Sequence, residues 1–157
     1  MKFIAFSLVS IMSVGLHASV DLTLNEPKKF MDIREHDMSV DRSAEAFQNS
    51  IKEYLEQHKL LKDRNLTITF NNVDRAGEVR YGMAQNRGMR VLRDVATVRL
   101  QFSYDLKDSS GNTIAQGDEN LKELFSLSRV DYRRSDREKY YFEKKLLDDW
   151  LENLLNK

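Results

Sequence analysis

The chain has 157 residues, with 25 basic and 25 acidic side chains, three histidines and no cysteine. A balanced charge argues against a general nucleic-acid binder, which carries a clear basic excess. The missing thiols exclude disulfide staples, thiolate metal centres and cysteine nucleophiles, while the length suits one domain able to bury a core unaided.

Residues 1–18 read as an export signal. Lys2 supplies the positive start, Phe3 to Leu16 is mostly apolar, and Ala18 followed by Ser19 offers small residues for cleavage. The run is shorter than the roughly 20 residues of a spanning helix. Cleavage after Ala18 is therefore expected to leave a soluble α+β domain over residues 19–157, in the periplasm and without a stable membrane span.

Val20, Leu22 and Leu24 alternate with polar residues, which predicts a short strand that Pro27, the only proline, ends. Residues 28–42 are polar and read as a loop. A helix follows from Ser43, capped by Asp41 or Ser43, with Ala44, Phe47, Ile51, Tyr54, Leu55 and His58 on one face, fading at Lys59 to Leu61. Leu66, Ile68 and Phe70 mark a second strand. Residues 71–88 are rich in Arg and turn residues, long for an unstructured connection, and Met89 to Arg93 suggests a short strand.

The strongest periodicity is Val98, Leu100, Phe102, Tyr104 and Leu106, alternating with polar residues. A turn at Asp108 to Asn112 sends the chain back over Thr113 to Gly117 as a hairpin. Residues 121–134 fit either a helix or a strand. The last helix is expected from Asp136 to Leu155, its apolar arc holding Tyr140, Leu146, Leu147, Trp150, Leu151 and Leu154. Glu143 falls within that arc. A buried carboxylate needs a partner, and an Arg from the segment before the long strand is expected to form a structural ion pair with it.

Chemical motifs are sparse. There is no nucleophile elbow and no phosphate-cradling glycine loop, and no cofactor is expected. His58 reads as a satisfied, partly buried histidine. His36 stands among Asp32, Arg34, Glu35 and Asp37 without the spacing of a closed metal site. Asp74 and Glu78 flank Gly77 and would form a catalytic carboxylate pair only if a second element faced them.

Several stretches together resemble a known family. Asn25-Glu26-Pro27-Lys28-Lys29-Phe30-Met31-Asp32-Ile33-Arg34 is similar to an opening Pro-x-x-Phe-x-Asp-x-Arg motif. Val73-Asp74-Arg75-Ala76-Gly77-Glu78 resembles Val-Asp-Leu-Ala-Gly-Glu, with Arg75 in place of Leu. Glu143-Lys144-Lys145-Leu146-Leu147-Asp148-Asp149-Trp150 resembles a closing Glu-Lys-x-x-Leu-x-Asp-Trp motif. The chain is identified as resembling a bacterial exported-protein family known only as a domain of unknown function (three-zero-one-six), over about Val20 to Leu155. The resemblance implies location and fold extent, and architectural roles for Glu143, Asp32 and Gly77; it implies no reaction.

The expected fold is a two-layer α+β sandwich: an antiparallel sheet of three to five strands with two helices on one face. The expected function is a non-enzymatic domain that binds an envelope protein or another envelope component. Arg80, Arg87, Arg90, Arg133 and Arg134 are its candidate surface, since Arg is favoured at interfaces. The alternative is a hydrolase or metal-dependent enzyme using Asp32, His36, Asp74 and Glu78. A third reading, a carrier of a small apolar ligand, needs a cavity between sheet and helices.

Overall fold

The structure is a computed structural model that describes residues 18–35, 37–82, 89–126, 128 and 137–156. Four strands form one sheet in the order β1 (Ser19–Leu24), β2 (Arg64–Asp74), β5 (Val95–Asp108), β6 (Thr113–Ser126). A separate ribbon pairs β3 (Glu78–Arg80) with β4 (Met89–Val91). Among the described residues two long helices, α1 (Val40–Glu56) and α2 (Tyr141–Leu155), complete the α+β fold.

The sheet is mixed, where antiparallel pairing throughout was expected. β1 runs parallel to β2, from Ser19 opposite Asn65 to Leu24 opposite Phe70. Two parallel neighbours need a long crossover, and α1 is that crossover. The helix begins earlier than the sequence suggests because Ser39 caps it, accepting from the Arg42 amide at 3.3 Å. Ser43, expected as a cap, is fully buried; its Oγ donates to the Ser39 carbonyl at 2.9 Å and accepts from the Glu35 amide at 3.0 Å.

β6 extends well beyond Gly117, to Ser126. Its register against β5 turns Glu119, Leu121, Glu123 and Phe125 to the same face as the buried Ala96, Val98, Leu100 and Phe102. Two acids in the inward row break the hydrophobic alternation and conceal the strand in the sequence. α2 starts at Tyr141 rather than at Asp136, which lies outside the described residues. Tyr140 at its N-cap has φ 61°, a left-handed conformation that does not continue a helix backwards.

Both helices pack on one face of the sheet. From α1 come Phe47, Ile51 and Leu55, and from α2 come Leu147 and Leu151, all fully buried with Leu66, Ile68 and Phe70 of β2. Burying each such side chain contributes about 1.5–3 kcal/mol. An aromatic row crosses the two layers: Phe47 to Phe70 at 5.6 Å, Phe70 to Phe102 at 5.4 Å and Phe102 to Trp150 at 4.9 Å between ring centres. The opposite face carries Thr23, Thr69, Gln101 and Ser103. No described helix is long and apolar enough to cross a membrane.

Pairing between β2 and β5 shifts register between Phe70 and Asn72. This bulge inserts one residue and moves the inward row of β2 from even to odd positions. Val73 thus joins Leu66, Ile68 and Phe70 in the core, fully buried. Arg75, two residues on, is carried inward as well.

Candidate functional site

Beyond β2 the backbone turns at Gly77, with φ +80°, into the β3–β4 ribbon. The ribbon returns Arg90 opposite Val79, beside the end of β2. Asp32 reaches the same place from the loop after β1. It forms a parallel bridge with Asp74, its amide donating to the Val73 carbonyl at 2.9 Å. The first turn of α2 supplies Glu143.

These segments bury a cluster of opposite charges. Arg75 is 6% exposed and Glu143 2%. Arg75 Nη1 lies 2.8 Å from Glu35 Oε1 and its Nε lies 3.6 Å from Glu143 Oε1. Neither contact has hydrogen-bond geometry, so these are ion pairs rather than hydrogen bonds. The guanidinium also stacks 4.5 Å from the centre of the Tyr140 ring, a cation–π contact. Glu143 accepts from the Ala76 amide at 3.1 Å, which locks the turn to the helix.

Arg90 forms the second half of the cluster. Its Nη1 and Nη2 donate to Asp32 Oδ2 and Oδ1 at 2.7 and 3.0 Å, a two-pronged pair. The same nitrogens donate to the carbonyls of Ala76, Gly77 and Arg34 at 3.1, 3.2 and 2.9 Å. Burial disfavours this charge, but the Asp32 hydrogen bonds and charge, with Glu35 and Glu143 behind them, hold Arg90 above its ordinary pKa. Burial likewise pushes the Tyr140 hydroxyl up to about 12; Arg75 opposes the shift, and Glu35 and Glu143 add to it.

A cleft of about 350 Å³ opens between this cluster and the start of α2, lined by Arg75, Arg90, Arg137, Lys139, Tyr140 and Glu143 among others. Arg137 and Lys139 are exposed at it. Buried beside them are polar atoms with no aligned hydrogen-bond partner: Arg75 Nε and Nη1, Arg90 Nε and the Tyr140 hydroxyl. A buried donor without an aligned partner costs free energy.

Glu143 and an Arg do meet, and the Arg is Arg75, from the end of β2. Arg90, expected on an open partner surface, is half-buried and committed to Asp32 and three carbonyls. Arg80 pairs with Glu78 at 2.7 Å. Arg87, Arg133, Arg134, His36 and the leader up to His17 lie outside the described residues. Of the carboxylates proposed for catalysis, Asp32 and Asp74 have neighbouring backbones, but both Asp32 oxygens bind Arg90. Glu78 is held by Arg80 and Arg93, which lower its pKa, with the Arg80 hydrogen bond as the largest cause. Among the described residues no group of three or more side chains is placed to hold a metal ion. His58 accepts from the Leu60 amide at Nδ1 (3.2 Å) and so donates from Nε2 to Asp148 at 2.6 Å, with both ring nitrogens satisfied.

Nothing along the chain marks Glu35 or Tyr140 as parts of this site. A trace of Arg75's inward turn was available: the alternation of Leu66, Ile68 and Phe70 resumes one position late, at Val73, across Asn71 and Asn72.

Two substitutions probe the frame of the site. A Cβ on Gly77 would stand 2.6 Å from the Val91 carbonyl oxygen, which is backbone and yields only if the ribbon moves. Gly77→Ala should cost about 1–3 kcal/mol or more in urea unfolding. Gly111→Ala, at φ +85° in open space, meets the conformational cost alone and should cost less. Equal losses would refute the close approach. The Asp74 carboxyl is raised above its ordinary value, first by burial and then by the Asp32 charge. Its folded pKa exceeds its unfolded one, so its contribution is present at low pH and is lost as pH rises through the folded value. Asp74→Asn should therefore raise the unfolding midpoint at pH 7, and the gain should vanish below the ordinary value of 3.8. A midpoint unchanged or lowered at pH 7 would contradict this.

Fold and site together define a two-layer α+β domain with a charge cluster buried where the sheet's end meets a helix start. The chain belongs to the family described as Protein of unknown function (DUF3016), which it matches over residues 18–153. No curated protein matches it. Among solved structures it is similar to a chain from Caulobacter crescentus CB15, at 11% identity and TM-score 0.35 over 90% of each chain. It is also similar to a minor lipoprotein from Acinetobacter baumannii, at 12% identity and TM-score 0.32 over 88% of this chain and 90% of that one. Likenesses this slight decide nothing about fold or function.

Proposed function

We propose that this is a non-enzymatic binding domain of the cell envelope, exported by residues 1–18, which docks an acidic group of an envelope protein or component in the cleft at the start of α2. The observation that carries the reading is a cleft lined by exposed Arg137 and Lys139 together with the more buried Arg75 and Arg90. Exposed cations steer an anionic partner toward the cleft. A hydrolase built on Asp32, His36, Asp74 and Glu78 has less support, because Asp32 and Glu78 are already occupied by arginines.

Crosslinking in intact cells tests the reading with the full-length gene product and the double variant Arg137→Glu, Lys139→Glu. Both side chains are exposed, so the fold should be kept, as circular dichroism would verify. Loss of the captured partner is expected; undiminished capture would overturn the cleft. Recovery of the unprocessed chain in the cytosolic fraction would overturn the envelope setting.

A further inference from the structure

We infer that the outer edge of β6, together with the groove between β6 and α2, binds an extended polypeptide segment whose helix-facing side chains run basic, apolar, basic, and adds it to the sheet as a fifth strand. The strand order leaves β1 and β6 at the edges. β1 is only 6 residues long, and Gln48 of α1 donates to its Leu22 carbonyl at 2.7 Å. β6 runs 14 residues, and among the described residues no strand pairs with its outer side. A long unpaired edge is a template for strand addition.

The groove beside that edge has about 300 Å³, lined by Glu119, Leu121 and Glu123 of β6 and by Leu146, Asp149, Trp150 and Leu154 of α2, with Asn153. Its floor is apolar, and its three charged groups are all carboxylates. Glu119 accepts from Trp150 Nε1 at 3.2 Å, and Asp149 pairs with Lys145 at 3.0 Å. A carboxylate has about four acceptor sites, so each can take a further donor. Glu123 is half-buried and senses Lys145 through charge, without a hydrogen bond or ion pair among the described residues.

A strand laid along β6 turns alternate side chains toward α2. There they meet the row Glu119, Leu121, Glu123, whose complement is basic, apolar, basic in either strand direction. A second copy of this chain fits worse. Pairing β6 with itself crowds the Glu119 and Glu123 carboxylates of both copies into one groove, and like charges facing across strands destabilise a pair.

Trp150 lines the groove and is the only tryptophan, so its emission reports on this site alone. The intact domain is titrated with a peptide containing Lys-Thr-Leu-Thr-Lys. Parallel titrations use the Glu-Thr-Leu-Thr-Glu peptide and the lysine peptide N-methylated at alternate backbone nitrogens. A saturable change with the lysine peptide is expected, weakened about tenfold or more by either altered peptide and by Glu119→Gln, Glu123→Gln in the domain. Glu123→Gln alone, which leaves the Trp150 hydrogen bond in place, should weaken it in the same direction. Equal binding of the N-methylated peptide would refute strand addition. No saturable change, or β6-dependent dimerisation in sedimentation instead of peptide binding, would refute the occupant. The titration does not involve Arg137 or Lys139, so its failure leaves the cleft reading standing.

Discussion

Replacing Arg75 by Met should lower the unfolding free energy by about 3–5 kcal/mol, the range for breaking a buried ion pair from one side. The guanidinium is the positive group nearest both Glu35 and Glu143, and those carboxylates are 9% and 2% exposed. Removing it leaves two acids with little water and one cation, Arg90, already engaged by Asp32. The unpaired charge, more than the lost contact, sets the size of the effect. Met keeps much of the side-chain volume, so a cavity adds little. Adding Glu35→Gln and Glu143→Gln to Arg75→Met should therefore recover a large part of the loss, because the buried charges go with their partner. Urea denaturation followed by circular dichroism measures both. A loss under about 1 kcal/mol for Arg75→Met, the size of an exposed pair, would mean that the cluster is solvated and not buried.

Phe102→Ala should cost a similar amount, about 3–5 kcal/mol, for a different reason. Phe102 is 1% exposed at the middle of β5 and stands between the layers. Its ring lies 5.4 Å from Phe70 and 4.9 Å from Trp150, edge-on to the latter at 78°. Deleting it opens a cavity under α2 that rigid neighbours fill only in part. Trp150 also touches Tyr104 at 5.0 Å, so the indole should stay near the sheet while its emission shifts toward that of a wetter site. A stability change within about 0.5 kcal/mol of wild type, typical of surface positions, would show that this residue is not the link between helix and sheet.

A side chain's place is legible in the sequence where it follows from its neighbours along the chain. β5 was visible because five inward residues keep a period of two. The buried faces of both helices were visible because Phe47, Ile51 and Leu55, or Leu147 and Leu151, repeat at helical spacing. Glu143 could be singled out, since a charge inside an apolar arc demands a partner whatever the fold. Its partner could not be chosen among the arginines of residues 75–99, because an ion pair depends on two points brought together in space. The second half of β6 was obscured by Glu119 and Glu123, which occupy inward positions where a groove, rather than a closed core, receives them.

By itself, then, the order of residues determined an α+β domain without cysteines, its period-two and helical faces, its family, and the need for a cation near Glu143. Tertiary structure alone decided that β1 lies parallel to β2 and that the shift between Phe70 and Asn72 turns Val73 and Arg75 inward. The physical reason is that periodicity is a property of neighbours along the chain, whereas strand register and the burial of a charge are settled between segments that pair only once the sheet has formed.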